Sequence, residues 1–214
     1  MAGYLKIKVV SIDYRSSPKD KWPAAIEDVT AVYRELLKQY KPENVGIYGC
    51  STGATLTADL MAWWQQQHVP RPGAIGLFCD GAIKDDTGQG DSYYFIPAMV
   101  QWSRQIPAPG QSWASFDGPE PYMEGTSAND PLVAPVVSLD VLSKFPPTLL
   151  ISGTRDTWLS AVIYTHSRLI KAGVEADLHV WDGMWHGFFS DVDLPESKDA
   201  YDVMTKFFDS HLGK

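Results

Sequence analysis

The chain has 214 residues, 44% of them hydrophobic and 21% charged, which suits one globular domain with a sizeable core. A formal net charge of -8 argues against nucleic acid as a partner, because phosphates call for a basic surface. No apolar run approaches the ~20 residues that span a bilayer, and two cysteines, Cys50 and Cys79, do not make a disulfide framework.

The opening "MAGYLKIKVVSIDYR" scatters lysines through a short apolar segment and offers no small-residue cleavage site, so no signal peptide is expected and the chain reads as cytoplasmic. Within it, 5–12 is expected to be a strand, with Lys6 and Lys8 alternating against apolar neighbours. Residues 22–40 form a helical pattern. Pro23 suits its first turn, Ile26, Val29, Tyr33, Leu36 and Leu37 share a face, and Pro42 ends it. A short buried strand at 44–49 precedes a helix over Thr52 to Gln67, and 73–79 is a second buried strand.

Residues 80–147 differ, being dense in Pro, Gly and aromatics with one helical stretch at 93–105. Long irregular segments in compact domains often serve as lids or binding loops. Then come a strand at 147–152, a helix at 159–173 stopped by Gly173, a strand at 175–181 and a closing helix at 196–212. Strands alternating with helices predict an α/β fold, a mostly parallel sheet flanked by helices, in a single domain over 1–214 with 80–147 as a loop-rich insertion.

The chemistry gathers at strand ends, where parallel α/β sheets bind their ligands. The strand at 44–49 runs into Gly-Cys-Ser-Thr-Gly, a Gly-x-Ser-x-Gly pattern between strand and helix, and so into Ser51. The strand at 147–152 is followed by "GTRD" and Asp156, and the strand at 175–181 by "DGMWHGF" and His186. Read singly, the serine pattern recurs by chance, Asp156 suits a cap for the helix at 159, and His186 suits a packed loop. Together they stand in the order Ser, Asp, His of the α/β-hydrolases. Such chemistry needs an imidazole to take the serine proton and a buried carboxylate to fix its tautomer and stabilise the imidazolium. His68, His166, His179 and His211 fall on helices or within a strand and are poorer bases. Ser51, Asp156 and His186 are therefore the expected catalytic set.

"SIDYRSSPKDKWPAAIEDV", "PPTLLISGTRDTWL" and "GMWHGF" together resemble the hormone-sensitive lipase family of α/β-hydrolases, nearly along the whole chain. The resemblance implies serine carboxylesterase activity on short-chain acyl or aryl esters, small-molecule substrates, through an acyl-enzyme without metal or organic cofactor. It implies that Tyr14 and Arg15 hold the strand-to-helix corner, and that the backbone N–H of Thr52 serves the oxyanion. Glu27 and Asp28 read as first-turn helix charges that suit the macrodipole.

Two departures stand out. Cys50 replaces the family's usual acidic residue beside the nucleophile, and reads as a small buried thiol. The family's upstream strands and His-Gly-Gly-Gly loop, which supplies oxyanion donors, have no counterpart here, so an amino-terminally truncated hydrolase is expected. In the family's sheet order the strand matching 5–12 lies between two strands absent here. It is therefore expected to move in beside 44–49 or to pair with another chain, which leaves room for a homodimer through that edge. Tyr93, Tyr94, Phe95, Met99 and Trp102 either line an acyl or aryl pocket or cover the sheet edge. Against the esterase stands a second expectation, a catalytically weak hydrolase scaffold used for binding or assembly.

Overall fold

Four short apolar runs become four strands: β1 (Gly46–Cys50), β2 (Ala74–Phe78), β3 (Thr148–Gly153) and β4 (Ala176–Trp181). The computed structural model describes residues 2–83 and 121–213. All strands are parallel and neighbour one another in chain order, with Cys50 opposite Phe78 and Phe78 opposite Ile151. Parallel pairing demands crossovers. Among the described residues, six helices accompany the strands: α1 (Ala2–Leu5), α2 (Ala24–Leu36), α3 (Thr52–Gln66), α4 (Leu139–Leu142), α5 (Leu159–Lys171) and α6 (Pro195–His211). Gly173, at φ 82°, follows the end of α5 as expected.

Alternation along the strands divides the core between the two faces of the sheet. Ile75, Leu77 and Leu150 pack with α2, α3 and α5. Ala74, Phe78, Leu149 and Ile151 pack with α6, which contributes Met204, Phe207 and Phe208. Each Phe buried this way stabilises by about 1.5–3 kcal/mol. The expected face of α2 is buried at Ile26, Val29 and Tyr33. Tyr33 stacks on Trp64 of α3 with ring centroids 4.2 Å apart, and the Trp64 indole donates to Thr30 Oγ1 at 2.7 Å.

The strand expected over 5–12 does not form. Lys6 has φ 53°, outside the extended region, and residues 7–13 join no strand. Lys6 and Lys8 therefore guard no sheet edge, and the segment does not move in beside 44–49; β1 itself is the open edge of the sheet. A cleft of about 720 Å³ is lined on one side by Ile7 to Ile12 and on the other by β1. Its floor is apolar, built from Tyr33, Leu56 and Leu60 with Phe208 and Leu212. The alternating pattern marks a segment willing to extend, but a strand forms only where it exchanges ladder hydrogen bonds with an edge, and the cleft holds this segment off the edge of β1. The described part of the loop-rich insertion, 121–147, holds 3-10 turns at Pro121–Met123 and Pro135–Val137 besides α4. The helical stretch expected at 93–105 lies outside the described residues.

Candidate active site

The turn from β1 into α3 is sharp. Ser51 sits in it with φ 58° and ψ -130°, an uncommon conformation for a side-chain-bearing residue. Its N–H donates to Phe78 O at 2.9 Å, and its carbonyl accepts from Ala54 N at 2.7 Å. A β-carbon at Gly49 would collide with the carbonyl of Gly53, so glycine at 49 lets the helix start directly over the strand end. Gly53 plays a smaller part than the motif suggests, since a β-carbon there would meet nothing within 4 Å. Thr52 opens α3, where the first N–H groups of a helix have no intrahelical acceptor and point towards negative charge.

Asp156 follows β3 and is 1% exposed. Its carboxylate accepts from Ser152 Oγ at 2.9 Å and from Trp158 N at 3.0 Å, and its Oδ1 meets His186 Nδ1 at 2.8 Å. Asp156 thus braces the turn before α5, which itself takes no side-chain cap, and bonds the imidazole as well. The loop carrying His186 is held against β3 by Arg155 N donating to Met184 O at 2.9 Å. Gly153 makes that approach feasible, because any β-carbon there would strike the Met184 carbonyl. The hydrogen bond that His186 donates to Asp156 pushes the His186 pKa above its ordinary 6.5; burial opposes the rise, and the Asp156, Cys50 and Asp80 charges add to it. Among the described residues, no hydrogen bond joins Ser51 Oγ to His186. Such bonds are often long until substrate binds. His166 and His179 lie within α5 and β4 as expected, His211 ends α6, and His68 stands in the turn after α3.

Ser51 and Thr52 open onto a cleft of about 340 Å³ lined by Tyr14, Ile83, Tyr122, Met123 and Trp158, with the buried Asp80 at its side. None of these was singled out as lining from sequence, since no local pattern marks a residue that enters a site only through packing. Tyr93, Tyr94, Phe95, Met99 and Trp102 lie outside the described residues. Arg15 does hold the corner: its backbone N donates to Asp28 Oδ2 at 2.8 Å and its Nη2 to Glu27 at 3.0 Å. Glu27 and Asp28 therefore do more than complement a helix dipole. The Arg15 hydrogen bond also holds the Asp28 carboxyl below its usual range.

Cys50 departs from expectation, being exposed rather than buried, whereas Cys79 is buried. Cys79 Sγ, an Asp156 oxygen and a His186 nitrogen lie within 4.8 Å of one another, a spacing that could hold a cation. The protein already satisfies these atoms: His186 bonds Asp156, and Cys79 Sγ accepts from Gly187 N at 3.2 Å. The hydrogen bond to Cys50 and burial raise the Cys79 pKa far above its usual value, which keeps the thiol protonated and disfavours metal ligation.

Comparisons with known proteins agree with this arrangement. Residues 1–190 match the alpha/beta hydrolase fold family. An esterase of Acinetobacter venetianus is 28% identical over 97% of this chain and 66% of its own length; the chain thus spans just under two thirds of that curated relative. The crystal structure of esterase E25 superposes with a TM-score of 0.83 at 38% identity, over 99% of this chain and 62% of that one. An esterase from the bacterial hormone-sensitive lipase family gives 0.82 at 29% identity, over 99% and 68%. With the parallel sheet, the strained serine turn and the matched span in agreement, this chain belongs to the α/β-hydrolase fold family, in the company of its hormone-sensitive lipase group.

Proposed function

We propose that the chain is a serine carboxylesterase in which Ser51 is the nucleophile, His186 the general base and Asp156 the residue that orients it. One observation carries the reading: a fully buried carboxylate bonds His186 Nδ1 at 2.8 Å, at the strand ends where Ser51 is presented on a strained turn. Asp156 accepts from Nδ1–H and so leaves Nε2 free as the base. Nε2 takes the Ser51 proton as Oγ attacks the ester carbonyl, and the imidazolium returns that proton to the leaving alcohol. Water then repeats the sequence on the acyl-enzyme, with His186 again as base. The Thr52 N–H is the donor to the oxyanion; one such donor is worth about 2.7–4 kcal/mol.

The cleft beside Ser51 lies near the small end of ligand sites. With Trp158, Tyr122, Met123 and Ile83 as apolar walls, it fits a short acyl group or a small aromatic one. Esterase names among the relatives point to the same reaction class. The test is hydrolysis of p-nitrophenyl acetate and butyrate by the purified chain beside its Ser51→Ala variant. A rate that falls at least about 10³-fold with the substitution is expected. Equal rates in the two proteins would make the residues a relic and leave the scaffold without this chemistry.

A further inference from the structure

The two thiols meet at the residue that follows His186. The Gly187 N–H donates to Cys79 Sγ at 3.2 Å, and Cys50 Sγ lies 3.8 Å from where a β-carbon of Gly187 would stand. Cys50 ends β1 opposite Phe78 on β2, so Cys79 is its diagonal neighbour on the adjacent strand. Strand spacing and rise put such diagonal Cα atoms about 6 Å apart, inside the range that a disulfide spans. A regular continuation of β2 would turn residue 79 to the opposite face. Cys79 instead has φ 59°, which breaks the alternation and turns its thiol towards Gly187, which Cys50 Sγ also approaches.

We propose that Cys50 and Cys79 are a modification site: a dithiol that hydrogen peroxide converts to an intramolecular disulfide. The two sulfurs are suited to different parts in it. Cys50 is exposed, while Cys79 is buried. The interaction with Cys79 lowers the Cys50 pKa, burial opposes this, the His186 charge lowers it further and the Asp156 charge raises it, with a net lowering. Cys50 is therefore the attacking thiolate. Its sulfur attacks one peroxide oxygen, the O–O bond breaks, and the departing hydroxide takes a proton to leave as water. The resulting sulfenic acid is then attacked by the Cys79 sulfur, which gives up its proton as the S–O bond breaks and a second water leaves. Two thiols are oxidised and one peroxide is reduced to two waters.

The bond has a mechanical consequence that rests on the esterase reading. Bonded sulfurs stand about 2.05 Å apart, closer than two sulfurs in van der Waals contact. Closing the disulfide therefore draws together the residue before Ser51 and the sulfur that anchors Gly187, and the strand-end geometry shifts. A misplacement of this order costs about 10²-fold in rate.

The experiment treats the folded full chain with a small excess of hydrogen peroxide, then alkylates the denatured protein and maps its peptides. The expected result is a loss of about 2 Da per chain, a linked Cys50–Cys79 peptide, a parallel fall in p-nitrophenyl acetate hydrolysis, and recovery of both with dithiothreitol. Cys50→Ser should show neither the mass loss nor the peroxide-dependent inhibition. Two thiols that still alkylate after peroxide, or oxygen added to Cys50 without linkage, would overturn the site. A disulfide that leaves Ser51-dependent hydrolysis undiminished would overturn its mechanical consequence. If the untreated chain shows no Ser51-dependent hydrolysis, the esterase reading fails, and the linkage map still decides the thiol chemistry.

Discussion

At the scale of single residues, the site turns on what Asp156 does to His186. A carboxylate that is 1% exposed and bonds Nδ1 at 2.8 Å favours imidazolium over imidazole. Its hydrogen bond and charge together outweigh the burial that would favour the neutral ring. In the proposed mechanism His186 acts as a neutral base, so the raised pKa keeps it protonated and inactive to higher pH than a free histidine would be. The acid limb of kcat/KM should therefore have its midpoint above 6.5 and reach its plateau on the alkaline side. Asp156→Asn should lower kcat by about 10⁴-fold and bring the residual limb down in pH. A stopped-assay pH series on both proteins measures this, and a wild-type midpoint at or below 6.5 would refute the coupling. Ser51, Asp156 and His186 were legible in the sequence because each stands in the loop after a strand and their types and order suit one chemistry. Cys50 was not: its neighbours suggested a buried thiol, and only the packing of β1 beside the His186 loop reveals an exposed sulfur.

Elements set how tightly that geometry is held, and the β1–α3 turn is the clearest case. At Gly49 the backbones of β1 and α3 meet directly, with the Gly53 carbonyl where a side chain would begin. Gly49→Ala must push the first turn of α3 away from the strand. Overpacking of this kind costs typically about 1–3 kcal/mol, and here it also tilts Ser51 and the Thr52 N–H. Urea unfolding should show a lower midpoint with an unchanged slope, and esterase activity should fall further than stability does. Gly53→Ala is the matched control, since a β-carbon there meets nothing within 4 Å; a comparable loss in both variants would count against the steric account. The Gly-x-Ser-x-Gly pattern announced the turn but not this asymmetry, because sequence does not show which glycine faces backbone.

For the whole molecule, the informative feature is the open edge of β1. The four long helices α2, α3, α5 and α6 and the four paired strands were legible because each combines local propensity with a buried face, as with Ile26, Val29 and Tyr33 on α2; the one-turn helices α1 and α4 are too short to show a periodic face and were not expected. The segment 5–12 has the local half of that combination and lacks the other: its alternation is strand-like, yet it stands across a cleft from the open edge of β1 and joins no ladder there. What results is a cleft of about 720 Å³ between residues 7–12 and β1, with Ile7, Val9 and Val10 exposed on its far wall. Apolar surface left accessible in a folded protein is costly to hydrate and binds amphiphilic dyes. The native chain should therefore enhance the fluorescence of anilinonaphthalene sulfonate saturably, without any denaturant, and with a cooperative thermal transition still present. Val10→Asp tests the location. Val10 is 43% exposed, so the added charge should leave the far-UV circular dichroism intact while lowering the dye signal. Undiminished emission from that variant would move the apolar surface elsewhere, and emission seen only on heating would mean that residues 7–12 close against β1 in solution.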